Sequence, residues 1–438
     1  MRAVLFLIFL VSLGFSGEVV TLRQAMESAL QNSLEIKSSK REVMAQEREL
    51  KSAIGYYFPR IKVEEVYTRT DIPVYAFMAK LNQSRITPFD FDPNKLNNPS
   101  AVNNFQTKFS IEVPIWMGGK TQAMVEASRH SLSATRLEAS KKEEESLFKT
   151  YQAYADAFVA KKMVETAKTS LKEAEEHVRL AESTYKVGIS LLADVLRAKV
   201  YLSKAQEMLS TAQNNYQIAK RGLELVTNTT FGDFDVEDLG QCPNVSLEEL
   251  KQKALEERKD IKALQENIKA MKSMQMAILA DNLPQVYAFG SYELNNKNSP
   301  FGSDGKGYMV GAGISWTFDT GLSVYNRYLA QGERIKAMED RLKLLKDAAI
   351  FEVEKAYTNY LNSLQAYKSA QAREEASKET VRVMELRFRQ GLVRMVDLLD
   401  AQTQLDMARF EKVQALGNCH KAYAELLYSA GLIREVLR

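Results

Sequence analysis

Cysteine and histidine are nearly missing from this chain, with two and three examples in 438 residues. So few soft or imidazole ligands leave little material for a metal centre or a disulfide framework. Cys242 and Cys419 could pair in an oxidising compartment, but sequence separation alone leaves that open. Proline and glycine, at nine and twenty, are too scarce for a disordered or linker-rich protein. Charge of one sign is also lacking: the formal net charge is +3, which makes no electrostatic case for nucleic acid. Beyond the first residues no apolar run approaches the ~20 residues that a membrane-spanning helix needs. Residues 302–307, Gly-Ser-Asp-Gly-Lys-Gly, lack the lysine–hydroxyl ending of a phosphate loop and read as a hairpin loop. His130 and His177 stand alone on charged helical stretches and read as solvated, and Cys419-His420 reads as helix packing. No nucleophile, triad or ligand cluster remains, so an enzyme is not expected, nor a cofactor or a metal.

What is present begins with Arg2, an apolar run over 3–11 and the small-residue stretch 12–17. A charged start, an apolar centre and small residues at a cleavage point predict a secretory signal peptide at 1–16. Gly14 and Ser16 are the small pair that cleavage requires, and no cysteine follows to accept a lipid. Any membrane that such an exported chain crosses must be crossed by strands.

The mature sequence is written twice. Val20, Leu22, Ala29, Leu30, Ile36, Lys37, Ala45 and Pro59 return at one constant offset as Val245, Leu247, Ala254, Leu255, Ile261, Lys262, Ala270 and Pro284. Further on the offset shortens: Phe148, Ala153 and Tyr154 match Phe351, Ala356 and Tyr357. The difference lies mostly in a surface loop at 71–104, longer than its counterpart in the second copy.

Each copy reads as helix, strand, strand, long helix, corner and long helix. The expected segments are a helix at 17–58, a strand pair at 59–116 and a helical hairpin at 117–230. After a linker at 231–245, a helix at 246–283, a strand pair at 284–318, a hairpin at 319–430 and a tail at 431–438 follow. Thr21 and Ser246 are the expected N-caps, and Glu249 completes a capping-box pattern with Ser246. Phe105, Thr107, Phe109, Ile111, Val113 and Ile115 alternate with polar residues, as do Tyr308, Val310, Ala312, Ile314, Trp316 and Phe318 with polar or small ones. Along the hairpins, apolar residues recur at alternating steps of four and three, mostly with alanine at every second place. A 3.5-residue period held that long predicts left-handed supercoiling. The proline-free run at 119–186 predicts a strut of ~100 Å.

Four strands cannot close a barrel, and open edges are excluded from lipid, so membrane strands here require several chains. Trp116 and Trp316 lie near strand ends, where an interfacial belt would place them. The corners are Tyr-Lys-Val-Gly at 185–188 with Asp-Val-Leu at 194–196, and Phe-Arg-Gln-Gly at 388–391 with Asp-Leu-Leu-Asp-Ala at 397–401. With the duplicated unit, the signal peptide and the loop sequence that starts at Pro73, they resemble the TolC family of outer membrane efflux proteins.

That resemblance implies a mainly α fold with a transmembrane β-barrel contribution. In it a homotrimer forms a twelve-stranded β-barrel, continued by a twelve-helix periplasmic α-barrel. It implies an outer membrane location extending into the periplasm, and an exit duct for small molecules served by a periplasmic adaptor and an inner-membrane pump. Export of proteins by a type I system is the alternative within channels, and an exported coiled-coil envelope protein is the alternative outside them. Asp397 and Asp400, three apart on one helix face, match the family's paired acidic ring at the periplasmic entrance, where rings of carboxylates constrict and select cations. Asp194 matches an aspartate of the closed state. Its usual tyrosine partner is replaced by Phe388 and the assisting arginine by Val393, so Arg197, Arg394 and Arg389 become candidates for closing the gate. Val187, Gly188 and Ile189 with Gln390, Gly391 and Leu392 match the tips offered to the adaptor. A glycine corner over a packed apolar residue explains the same six residues without a partner.

Overall fold

The computed structural model describes residues 18–243 and 245–437, so the expected signal peptide at 1–16 lies outside the described residues. The first copy contains β1 (Glu18–Val20), α1 (Leu22–Asn32), α2 (Leu34–Gly55), β2 (Arg60–Thr70), α3 (Pro73–Asn82) and α4 (Pro93–Asn97). It continues through β3 (Val102–Trp116), α5 (Lys120–Lys186) and α6 (Leu192–Thr227). After β4 (Phe234–Val236), the second contains α7 (Leu247–Glu257), α8 (Lys259–Leu279), β5 (Gln285–Asn296), β6 (Gly305–Ser315), α9 (Ser323–Arg389) and α10 (Met395–Ser429). Both α5 and α9 run for 67 residues, and α6 and α10 for 36 and 35. Among the described residues no helix is long and apolar enough to cross a membrane.

The chain divides into two units. One comprises 42–136 and 263–342 and is organised by a four-stranded antiparallel sheet in the order β2-β3-β5-β6, with β2 and β6 at its edges. The register puts Ile61, Val63, Phe109, Ile111, Ala288, Tyr292, Val310 and Ile314 on one face. Lys62, Glu64, Lys108, Ser110, Ser291 and Glu293 share the other, where Lys108 Nζ meets Glu293 Oε1 at 3.0 Å. Side chains alternate across a strand, so this segregation follows from the period-two pattern. The apolar face is exposed, with Ile61 at 75% and Val310 at 74%.

The sixth strand stops at Ser315, short of the Trp316–Phe318 extension that alternation predicts. Its partner β5 begins at Gln285 after Pro284, which has no N–H to extend the ladder. Trp316 instead donates its Nε1–H to Asn282 O at 3.0 Å and stacks near Phe318. The 71–104 loop is not irregular throughout: it holds α3, a 3₁₀ turn at Pro88–Phe91, α4 and the start of β3. His130 is not simply solvated, since its Nδ1 lies 2.8 Å from Glu266 Oε2.

The other unit holds the remaining described residues, including both hairpin corners. The helices expected at 17–58 and 246–283 are each broken in two. At the first break Asn32 O accepts the Asn228 side-chain amide at 3.1 Å and Ser33 turns extended. At the second the Arg258 guanidinium is bound to Asp260, Glu352 and Ser429 O. The capping expectation also changes sides. Thr21 forms the reciprocal box with Gln24, whereas Ser246 makes no side-chain cap bond and Glu249 pairs with Lys253 at 3.0 Å.

The expected linker at 231–245 contains β4, which pairs in parallel with β1. Strands of three residues show no period, so they are invisible to pattern reading. They are fixed from the hairpin side: Tyr154 donates to Val20 O at 2.9 Å, Lys161 to Val236 O at 2.7 Å and Lys220 to Phe234 O at 2.9 Å. The expected tail is likewise packed, with Ile433 fully buried in a 3₁₀ turn.

Cys242 and Cys419 are disulfide-bonded, which joins the segment before α7 to α10. The reading of Cys419-His420 as plain packing is therefore incomplete. His420 is buried and bonds Gly240 O at 3.1 Å through Nε2, and burial lowers its pKa, keeping the ring neutral.

Glu144 on α5 is an electrostatic anomaly of this unit. Its Oε1 is buried without a hydrogen-bond partner, with Lys259 Nζ at 3.9 Å and Arg434 Nε at 3.8 Å. Desolvation, opposed by those two cations, pushes its pKa up to about 7. A raised carboxylate favours the fold below its unfolded pKa of 4.5, and that advantage is lost as pH rises through about 7. Glu144→Gln should therefore melt higher than the wild type at pH 8 and close to it at pH 4.5. Parallel melting curves at all pH values would contradict this.

Candidate gate at the hairpin corners

Each long helix ends in the same way. Gly188 has φ +77° and Gly391 φ +73°, a left-handed conformation that glycine adopts without the Cβ penalty. Gly188 N donates to Tyr185 O at 3.0 Å and Ile189 N to Thr184 O at 2.9 Å. Gly391 N donates to Phe388 O at 2.9 Å and Leu392 N to Arg387 O at 3.0 Å. These are paired Schellman closures, which satisfy the last carbonyls of α5 and α9.

Three residues into the next helix a carboxylate reaches back. Leu191 N donates to Asp194 Oδ2 at 3.1 Å, and Arg394 N to Asp397 Oδ2 at 2.9 Å. Both aspartates thus stabilise a helix start, where the macrodipole also favours negative charge. The two corners touch: a Cβ on Gly391 would lie 3.6 Å from Ile189 Cγ2. Val187, Ile189, Leu191 and Leu392 are exposed around that contact, between 55% and 71%.

Behind the corners lies an apolar core. Phe388 is 3% exposed and packs with Ala181, Val195, Val381, Met395, Leu398 and Leu399. Its ring is therefore internal rather than placed for a polar link to Asp194. The other gate-closing candidates are also separate within one chain. Arg394 Nε lies 3.7 Å from Asp397 Oδ2, Arg389 binds Glu385, and Arg197 is exposed. Asp400 is exposed and no hydrogen bond or ion pair holds it among the described residues.

A few turns along the hairpins sits a buried polar network that the sequence reading missed. Asp406 is 5% exposed; its Oδ1 accepts from Ser170 Oγ at 2.6 Å and its Oδ2 from the Tyr201 hydroxyl. Arg409 grips Glu173 in bidentate fashion at 2.6 and 2.9 Å, and Gln402 donates to Glu173 at 2.7 Å. His177, expected to be solvated, is buried against Gln402 Oε1 at 3.2 Å. Burial beside Asp406 raises the Tyr201 pKa, so the phenol stays a donor. These residues come from α5, α6 and α10, so the network ties the first hairpin to the second. Hydrophobic period marks only the apolar seam, and polar residues break it without saying what they meet.

The Trp116 expectation also had unrecognised company. Tyr56 and Tyr57, just before β2, are exposed beside it, and Phe58, Trp316 and Phe318 are exposed close to the helix-proximal strand ends in sequence.

A family profile described as outer membrane efflux protein matches residues 25–229 and 250–432. The chain belongs to the outer membrane efflux protein family. Solved structures agree with this efflux family at the level of the fold. CusC aligns with a TM-score of 0.78 at 14% identity, covering 97% of this chain and 95% of that one. VceC from Vibrio cholerae aligns at 0.74 and 16% identity, covering 94% and 96%. The MtrE channel of Neisseria gonorrhoeae, solved in an open state, aligns at 0.73 and 16% identity, covering 94% and 89%. No curated protein sequence matches. The relatives are channels, and the efflux family's place is the outer membrane.

Proposed function

We propose that this efflux-family chain is one third of a trimeric outer membrane duct that passes small molecules outward, taking them from an inner-membrane pump through a periplasmic adaptor. The observation that carries the reading is the four-stranded sheet: one face mostly apolar and bare, the other bearing most of the charge, and both edge strands unpaired among the described residues. Such a sheet is unsuited to water, and its open edges bar it from lipid as a monomer. Three copies of four strands would close a twelve-stranded barrel with the apolar face towards lipid. The α5–α6 and α9–α10 hairpins then supply twelve helices for the periplasmic tube, and Trp116 and Trp316 with their tyrosine neighbours form the inner interfacial belt.

In this arrangement the corners are the periplasmic entrance. Asp397 and Asp400 form two rings of three carboxylates, and the exposed tips Val187–Ile189 and Gln390–Leu392 meet the adaptor. Arg197 stands in the first copy where Asp400 stands in the second, so the acidic constriction belongs to the second hairpin.

The test is a heat-sensitive trimer in outer membrane fractions that conducts in planar bilayers; a soluble, non-conducting protein would fit an envelope coiled coil instead. Asp397→Ala combined with Asp400→Ala should raise single-channel conductance and weaken block by divalent cations. Unchanged conductance would remove the ring assignment.

A further inference from the structure

The first copy carries a helix, α3, that the second copy lacks, and its placement is specific. Ala76 and Ala79 are buried with Val102, which turns the small-residue face of α3 onto the sheet. Gln83, 1% exposed, donates Nε2 to Asn103 O at 2.7 Å and to Asn104 Oδ1 at 2.8 Å. Asn104 in turn donates to Asn295 Oδ1 at 2.9 Å, and Arg85 donates to Gln83 Oε1 at 2.7 Å. Asn104 and Asn295 share the face of Lys108 and Glu293. The helix therefore lies on the charged face, at the strand ends remote from α5 and α9.

Its reach is just as telling. Ten helical residues extend ~15 Å, and four strands at ~4.8 Å spacing span ~14 Å between outer strands. The helix leaves β2 at one edge, and its end arrives over β6 at the other. There a Cβ on Gly305 would lie 1.9 Å from Asn82 O, so no larger residue fits under the lid. The surface left bare is apolar: Val74, Tyr75, Met78 and Leu81 are exposed by 45–67%.

We propose that α3 is a lid folded into the external mouth of the duct, latched by Gln83 on Asn104, with Val74, Met78 and Leu81 lining a narrow apolar opening. This rests on the trimeric-barrel reading, which makes the charged face the lumen. Three lids, one from each chain, then restrict the mouth, and an apolar constriction resists wetting. The second copy's loop between β5 and β6 is too short to contribute.

The probe is Ser110→Cys, a lumen-facing position in this arrangement, reacted with a bulky membrane-impermeant maleimide added outside intact cells. The native cysteines are paired and give no background. Adding Gln83→Ala should speed labelling by about five-fold or more, the shift in opening expected from losing at least one net hydrogen bond of the three that Gln83 makes. Gly305→Val, whose Cβ would collide with Asn82 O and crowd the Gln83 backbone, should displace the helix end from the sheet and speed it likewise. Equal labelling rates in all three proteins, while the unsubstituted trimer conducts in bilayers, would overturn the lid and leave the duct standing. If the unsubstituted protein forms no conducting trimer and Ser110→Cys stays inert in every variant, the barrel reading fails and the lid fails with it.

Discussion

Arg409→Met should lower the stability of the hairpin unit by about 1.5–3 kcal/mol, the range for a lost hydrogen bond between charged groups, because the pair it breaks is only partly buried. Arg409 is 13% exposed and holds both oxygens of Glu173 while lying 3.7 Å from Asp406 Oδ1. Without it, two carboxylates face each other in a site that keeps only neutral donors: Ser170, Tyr201 and Gln402. The companion Glu173→Gln with Arg409→Met should recover much of the loss, because it leaves one uncompensated carboxylate instead of two. Thermal unfolding of the purified protein measures both. The same substitution should also loosen the tie between α10 and the first hairpin, and faster amide hydrogen exchange in α10 would report it. Full stability in the single variant would show that the network is not a fastening.

Replacing both cysteines by alanine should cost about 2–5 kcal/mol, in the range for removing a disulfide that closes a long loop. The bond spans a sequence separation of 177 and ties the segment before α7 to Cys419, which is fully buried. The same segment carries Gly240, whose carbonyl accepts from His420, so its release also frees a buried imidazole to seek water. The variant should unfold at a lower temperature than the oxidised wild type. A reductant should bring the wild type down to the same temperature and leave the variant unmoved. If reductant has no effect on the wild type, the bond is not a stabilising element.

How far these features could be read in advance depended on the range of the interaction involved. The alternation from Phe105 to Ile115 marks its strand because side-chain direction is a local property of extended backbone. The seams of α5 and α6 are legible for the same reason, and so is the glycine at each corner. The breaks at Ser33 and Arg258 were not legible, since what bends the chain there is Asn228 in one case and Glu352 and Ser429 in the other. Ser246 looks like the better cap and Thr21 like the lesser, yet the side chains chose otherwise. Phe388 takes the family's tyrosine position only by resemblance, and its packing inside the corner core was not legible in the sequence.

The sequence by itself determined the duplicated unit, the two-faced strands, the long proline-free helices and the acidic pair of the second corner. All of these are periodic or positional, and periodicity survives in one dimension. Only the tertiary structure decided the pairing of Cys242 with Cys419, the β1–β4 ladder, the network around Asp406 and the latch of Gln83 on Asn104. Each of those joins residues far apart in the chain, and a buried polar group carries no local signature of the partner that satisfies it.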